Sequence, residues 1–333
     1  MEGAYYNGQY LNRLERLGYS QAEIDNKLER TFEEMFYGPE GVRLCHCAGP
    51  DMMYIEDTGN HDVRTEGMSY AMMFCVQMNR QKEFDCLWRW VVTHMYLTEG
   101  ENAGYFAWSC HTDGSKNSDG PAPDGEEFFA MSLFFAANRW GSGEGVLDYA
   151  SWARRILHAC VHKGEEAGSG FPMWNPENHL IKFIPNCEFT DPSYHLPHFY
   201  ELFALWSDEC DRPFWHAAAA ASRQYLRKAC HARTGLSAEY AEYDGRPHRG
   251  DQPDRHDWFF SDAYRTLGNI ALDAQWFGDK DGWAQETAAH IQQFFEEKEH
   301  GQTNGIYLID GTPVEGNALH PVGLLATIAQ GSL

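Results

Sequence analysis

The feature that most constrains the fold is a polar residue that recurs at the start of every second predicted helix. These residues are Glu66, Asp124, Asp191, Asp262 and His320, at successive steps of 58, 67, 71 and 58 residues. A quasi-repeat of about sixty residues is typical of a chain built from repeated helical hairpins. We therefore expect the five side chains to meet at one end of a closed ring of helices.

The helices themselves are predicted from apolar residues that recur at intervals of three and four positions, which indicates ten helices. They are predicted to begin near Ser20, after Glu66, at Lys82, at Asp124, near Leu147, near Asp191, at Arg212, at Ser261, at Asp281 and at His320. Ser20 and Glu23 have the spacing of a capping box, as do Asp124 and Glu127. No strand longer than a few residues is predicted.

The loops alternate in length along the chain, short before the odd-numbered helices and long before the even-numbered ones. This alternation indicates helical hairpins with tight turns on one face and functional loops on the other. The predicted fold is therefore all-α, a single (α/α)6 barrel domain over residues 1–333. Because such a barrel needs twelve helices, either its last hairpin is absent from this chain or two helices have been missed.

Charge and composition restrict the ligand. The chain has 26 basic and 49 acidic residues, a formal charge of −23, which would repel nucleic acids and anionic membranes. The expected ligand is neutral or cationic. The nine cysteines are scattered and odd in number, which favours a reducing compartment over a disulfide framework. No stretch of about 20 residues is apolar, so the chain is predicted to be soluble. It is also predicted to be cytoplasmic and a monomer.

Carboxylates beside aromatic side chains indicate glycoside hydrolysis. This reaction needs one protonated acid at the leaving oxygen and one ionised carboxylate. Aromatic rings, on which sugars stack, occur on the predicted functional loops. They are Tyr105, Phe106, Trp108, Phe171, Trp174, Tyr194, Tyr240, Tyr243 and Trp258. Each ring taken singly is more easily explained by loop packing, so the argument depends on their common placement. Among them, Trp174 is predicted to contact the substrate.

The sequence has no complete motif for binding a metal or a cofactor. The segment from Asp113 resembles a calcium loop, but Ser118 stands where the turn needs glycine. Cys45-His46-Cys47 lacks a second pair at zinc spacing. A phosphate-binding glycine loop and a nucleophile elbow are also missing. We expect no metal and no cofactor.

Several motifs together resemble glycoside hydrolase family 8. They are Arg64-Thr65-Glu66-Gly67-Met68-Ser69-Tyr70, Ala107-Trp108, Ala122-Pro123-Asp124-Gly125-Glu126-Glu127, Asp191-Pro192-Ser193-Tyr194 and Ser261-Asp262-Ala263-Tyr264-Arg265. The resemblance runs from about Glu33 to the end of the chain. It is greatest to those family members that release xylose from the reducing end of xylo-oligosaccharides. It implies an (α/α)6 barrel and hydrolysis with inversion.

The resemblance also implies a role for individual residues. Glu66 would be the general acid, Asp262 the general base for water, and Asp124 the residue that holds and distorts the sugar. Trp108 would stack on a sugar, and Tyr194 would orient the water or the bound ring. These five roles are carried over from the family motifs.

Arg265 and His320 complete the predicted substrate contacts. Arg265 lies in the motif of Asp262. In the xylose-releasing members, a kinked loop before the tenth helix closes the cleft beyond the leaving sugar, and its histidine binds the reducing-end hydroxyl. His320 matches that histidine and would limit the leaving side to one xylose. A histidine that only caps the helix is the alternative.

Electrostatics set two further expectations. A helix N-terminus favours the ionised form of Glu66, so burial and an ionised Asp124 would have to raise its pKa. Inversion requires acid and base carboxyls roughly 6.5–9.5 Å apart.

Three alternatives to the exo-acting hydrolase remain open. The first is an endo-acting xylanase or glucanase of the same family, because the residues alone do not separate xylose from glucose. The second is a sugar epimerase on an (α/α)6 barrel, which would use some of the sixteen histidines. The third is a non-catalytic carbohydrate-binding protein.

Overall fold

The structure is a computed structural model that describes residues 2–165, 169–250 and 255–332. Helices dominate these residues. They are α1 (Ala4–Asn7), α2 (Arg13–Arg16), α3 (Gln21–Tyr37), α4 (Thr65–Gln77), α5 (Gln81–His94), α6 (Pro123–Trp140), α7 (Tyr149–His162), α8 (Pro197–Trp206), α9 (Arg212–Ala229), α10 (Arg265–Phe277), α11 (Trp283–Glu299) and α12 (Pro321–Gln330).

The strands are short and antiparallel. They are β1 (Cys45–Cys47), β2 (Met53–Ile55), β3 (Val63–Arg64), β4 (Ser109–Cys110), β5 (Trp258–Phe259), β6 (Ile306–Leu308) and β7 (Pro313–Val314). β1 pairs with β2, β3 with β4, and β5, β6 and β7 form a three-stranded sheet. Each strand has only two or three residues, as the sequence predicts.

The chain packs into two compact units. The first comprises Met1–Leu11, Met173–Leu205 and Glu209–Leu333, and the second comprises Asn12–Pro172 and Trp206–Asp208. The single domain predicted for residues 1–333 stays a prediction.

In the second unit, α6 packs on both α4 and α7, and α4 packs on α5. These helices surround the fully buried Trp88, whose ring lies 5.8 Å from Phe129 and 5.4 Å from Trp152. In the first unit, α10 packs against α1, α11 and α12. Leu267 and Leu324 are buried in the core between α10 and α12.

The ten predicted helices are all present, and the structure adds the four-residue helices α1 and α2. The capping box of α3 is confirmed, because Ser20 N–H donates to Glu23 Oε2 at 2.8 Å and Glu23 N–H donates to Ser20 Oγ at 3.3 Å. Among the described residues, none of the helices is both long and apolar enough to cross a bilayer.

The prediction that Asp124 caps α6 is wrong. The N-cap is Ala122, and Pro123 occupies the first turn because a proline lacks the N–H that would be unsatisfied there. Asp191 does cap, but it caps a 3-10 turn, Pro192–Tyr194, where it accepts a hydrogen bond from Ser193 N–H. α8 then begins at Pro197. A second 3-10 turn, Ser261–Tyr264, carries Asp262 ahead of α10.

Candidate active site

Glu66 lies in the first turn of α4 and is half-buried. The strand pair β3–β4 places Trp108 beside this turn, because Arg64 pairs with Ser109. The Thr65 N–H donates to the Trp108 carbonyl at 3.0 Å. The Thr65 hydroxyl donates to Glu66 Oε2 at 3.3 Å. Two of the predicted site residues, Glu66 and Trp108, are thus held together by local backbone pairing.

The ring of Trp108 is partly exposed and is contacted by a cation. The Arg64 guanidinium lies 5.1 Å from the ring centroid. Asp62 holds the Arg64 side chain at 3.0 Å and also accepts a hydrogen bond from Ser109. The guanidinium thus lies over one face of the Trp108 ring, and part of the ring stays accessible.

Asp124 is brought to the same place by the packing of α6 on α4. A methyl group added at Gly125 would come within 2.5 Å of Thr65 Cβ, so the two helices touch at their first turns. Asp124 itself is buried, and its Oδ1 accepts the Gly125 N–H at 3.0 Å. The predicted association of Glu66, Asp124 and Trp108 is therefore present in the second unit.

A third carboxyl group, that of Glu126, belongs to this cluster and received no role from the sequence. It is fully buried, and its Oε1 accepts the Phe106 N–H at 3.0 Å. Burial raises its pKa well above the usual range, and the charges of Asp124 and Glu66 add to this shift. Burial among ionisable neighbours thus favours the protonated form of Glu126. The feature of the sequence that could have indicated Glu126 is its position two residues after Asp124, in a helix that is largely apolar.

The first unit holds a second group around Asp262. Arg265 Nη2 lies 3.4 Å from Asp262 Oδ2, and the guanidinium lies 5.4 Å from the ring centroid of Tyr194. The Asn269 side-chain amide donates to the Ser193 carbonyl at 2.7 Å, which fixes the turn before Tyr194. Asp262, Arg265 and Tyr194 are thus neighbours, and all three are predicted site residues.

Asp191 lies beneath this group and is buried. Its carboxyl accepts the Ser193 N–H at 2.7 Å. Burial raises the pKa of Asp191 well above the usual range; the Arg265 charge opposes the shift and the Asp262 charge adds to it. The charges of Arg265 and Asp262 therefore both act on the carboxyl group of Asp191.

His320 is the N-cap residue of α12, with Pro321 in the first turn. Its side chain is exposed and makes no capping hydrogen bond within the part of the chain that the structure describes. The capping hydrogen bond that the alternative explanation of His320 requires is therefore not formed among the described residues. Leu319 and His320 line a small pocket with Phe260, Ser261 and Tyr264.

Trp174 does not have the predicted position. Its ring is 1% exposed and packs 5.7 Å from Tyr200 and 5.0 Å from Trp215. A ring enclosed by other aromatic side chains offers no face to a sugar, so Trp174 is a core residue. Tyr105 and Phe106, two more of the loop aromatics, are also fully buried.

Comparisons with known proteins agree with one another. The family model of glycosyl hydrolases family 8 matches residues 19–328. The reducing end xylose-releasing exo-oligoxylanase of Halalkalibacterium halodurans is 55% identical over 333 residues, covering 100% of this chain and 84% of that protein. Rex8A of Paenibacillus barcinonensis, also named a reducing-end xylose-releasing exo-oligoxylanase, is 55% identical over 336 residues. The match covers 100% of this chain and 87% of Rex8A.

The fold is shared as well as the sequence. The structure of Rex8A from Paenibacillus barcinonensis in complex with xylose matches with a TM-score of 0.96 at 54% identity, over 99% of this chain and 87% of that one. The predicted fold class, all-α with the (α/α)6-barrel topology, is confirmed by this similarity.

Proposed function

Because the chain belongs to glycosyl hydrolases family 8, we propose that it releases xylose from the reducing end of xylo-oligosaccharides by hydrolysis with inversion. The observation that carries the proposal is 55% identity over the whole chain to two proteins named for this activity. The epimerase alternative has no support from these relatives. An endo-acting enzyme is an outcome of the experiment below.

Glu66 is proposed as the general acid that protonates the leaving oxygen. Its half-buried carboxyl lies close enough to the buried Glu126 for the charges of Glu66 and Asp124 to help raise the pKa of Glu126. Asp124 is proposed to bind the sugar at the point of cleavage. Trp108 is proposed to stack on a sugar ring with its accessible part.

Asp262 is proposed as the base that takes a proton from the attacking water. A base must be ionised, and Arg265, 3.4 Å away, places an opposite charge beside it. Tyr194, against the same guanidinium, is proposed to orient the water or the bound ring. Hydrolysis with inversion requires acid and base carboxyls roughly 6.5–9.5 Å apart.

His320 is proposed to bind the reducing-end hydroxyl and so to limit the leaving side to one xylose. Its exposed imidazole, which makes no cap hydrogen bond among the described residues, supports this role. The formal charge of −23 fits a neutral oligosaccharide. The nine cysteines, all free, support the proposed cytoplasmic location. A monomer is proposed for the working form.

The test is hydrolysis of xylotriose that carries an isotopic label in its reducing-end sugar, followed by NMR. We expect labelled xylose and unlabelled xylobiose, with the new reducing end appearing first as the inverted anomer. Unlabelled xylose as the first monosaccharide would contradict the polarity, and a retained anomer would contradict the mechanism. Internal cleavage of longer oligosaccharides would show an endo-acting enzyme.

Glu66→Gln is the matched variant for this experiment. It keeps the size of the side chain and removes the transferable proton, so we expect kcat to fall by about 100- to 10,000-fold. Circular dichroism and the unfolding temperature check that the variant folds. Wild-type turnover by Glu66→Gln would remove Glu66 from the mechanism.

A further inference from the structure

The ring of Tyr264 packs against His320. The two ring centroids lie 5.8 Å apart at an interplanar angle of 66°, an edge-to-face contact. Both residues line the same small pocket, whose volume is about 10 Å³. The distance between the two ring centroids shows that Tyr264 and His320 contact each other directly.

Gly323 makes room for this contact. It lies one helical turn after His320, so both residues are on the same face of α12. A methyl group added at Gly323 would come within 2.9 Å of Tyr264 Cε2 and Cζ and 3.1 Å of its Oη. Because alanine is the better helix former by about 1 kcal/mol, helix formation does not explain the glycine. The Tyr264 ring does.

The backbone around His320 is fixed independently of its side chain. The Ala318 N–H donates to the Asn304 carbonyl at 2.7 Å. The Thr303 hydroxyl donates to the Pro321 carbonyl at 2.8 Å. With the main chain held on both sides, the direction of the imidazole depends on the surface against which it packs, and that surface includes Tyr264.

Tyr264 also belongs to the turn that carries the proposed base. Asp262 and Tyr264 are two residues apart in the 3-10 turn Ser261–Tyr264. Ser261, which precedes Asp262, has a φ of 45°. A residue other than glycine adopts this left-handed conformation only where the surrounding structure holds it there. One constrained turn thus positions the base with one residue and contacts His320 with another.

We propose that Tyr264 is a specificity-determining positioning residue. Its ring holds His320 in the orientation that ends the leaving side after one sugar, and Gly323 provides the space for that ring. The inference rests on the proposed function, in which His320 binds the reducing-end hydroxyl. It adds a residue that sets the length of the released product without touching the substrate.

The experiment uses xylotetraose labelled in its reducing-end sugar and measures the ratio of labelled xylobiose to labelled xylose. Gly323→Ala is expected to displace the Tyr264 ring and release His320. The ratio should rise by about tenfold, the effect of one lost hydrogen bond to the leaving sugar. Tyr264→Ala should raise it similarly, and the double variant no further, because both changes act through one contact. Tyr264→Phe keeps the ring and should keep the wild-type ratio.

Gly268→Ala is the matched control. Gly268 is also a helical glycine, on α10, but its added methyl would meet the flexible end of Gln330, so the product ratio should be unchanged. Gly323→Ala and Tyr264→Ala could both fold and hydrolyse xylotetraose more slowly while keeping the wild-type ratio of labelled xylobiose to labelled xylose. Tyr264 would then have only a structural role, and the inference would be wrong. If the wild type itself releases no labelled xylose, the proposed function fails, and the inference fails with it.

Discussion

At the scale of single residues, Glu126 has the clearest energetic consequence. Its folded-state pKa is raised well above the ordinary 4.5, so the native state keeps a proton that the unfolded state releases as the pH rises. The unfolded state then binds fewer protons, and the free energy of unfolding falls with increasing pH above that value. Glu126→Gln keeps an acceptor for the Phe106 N–H and removes this loss. We therefore expect the variant to gain stability relative to the wild type between pH 5 and 8, measured by urea unfolding.

Glu126→Ala is the control for that prediction, because it removes the acceptor along with the charge. The buried Phe106 N–H would be left unpaired, at a cost of about 1–3 kcal/mol. A stability difference between Glu126→Gln and the wild type that stays constant with pH would show that Glu126 titrates normally.

Residue identity was only partly predictable from the sequence. Glu66 and Asp124 were singled out because they stand at predicted helix starts, a signal that the pattern of apolar residues supplies. Glu126 received no role from the sequence and Trp174 was misplaced, both for one physical reason, which is that burial decides what these side chains can do. Glu126 is enclosed, which raises its pKa, and Trp174 is enclosed by Tyr200 and Trp215. Local spacing does not report on enclosure by residues distant in the chain.

At the scale of elements, the contact between the first turns of α4 and α6 places Asp124 beside Glu66. Gly125→Ala should disturb it, because the added methyl would lie 2.5 Å from Thr65 Cβ and 2.6 Å from its Oγ1. Overpacking of this kind costs about 1–3 kcal/mol. We expect a lower unfolding free energy together with a loss of kcat, since the two carboxyls must shift.

The control for Gly125→Ala is Gly67→Ala on α4, where the added methyl would meet Ile55 Cγ2 at an ordinary 3.4 Å. This change should leave stability within about 1 kcal/mol of the wild type. Equal stability of Gly125→Ala and Gly67→Ala in thermal unfolding would contradict a tight helix contact.

The elements were the most predictable level. Most of the ten longer helices follow from apolar periodicity because each buries one face. The sixth was placed instead by Asp191 and Pro192, and α8 begins only at Pro197. α1 and α2 were missed because four residues are too few to define a period. The start of α6 was misplaced because Pro123 fits the first turn and Ala122, which has no capping side chain, precedes it.

At the scale of the whole molecule, the sequence predicted the fold class from the alternation of loops and the repeat of polar helix starts. The similarity to solved structures confirms it. Distances between groups that lie far apart in the chain depend on how helices pack, and periodicity contains no such information. The separation of Glu66 and Asp262 therefore stays a prediction.

The net charge of −23 leads to the last prediction, which concerns the effect of salt on stability and on the turnover of a neutral substrate. Like charges on the folded chain repel, and salt screens them over about 10 Å at 0.1 M. We expect the free energy of unfolding to rise as NaCl increases from 0.02 to about 0.5 M. A neutral oligosaccharide is not steered by this field, so kcat/KM for xylotriose should change by less than about twofold over the same range. A steep fall of kcat/KM with salt would contradict this expectation, because xylotriose carries no charge on which the field could act. Sucrose, which stabilises without screening, serves as the control for the stability measurement.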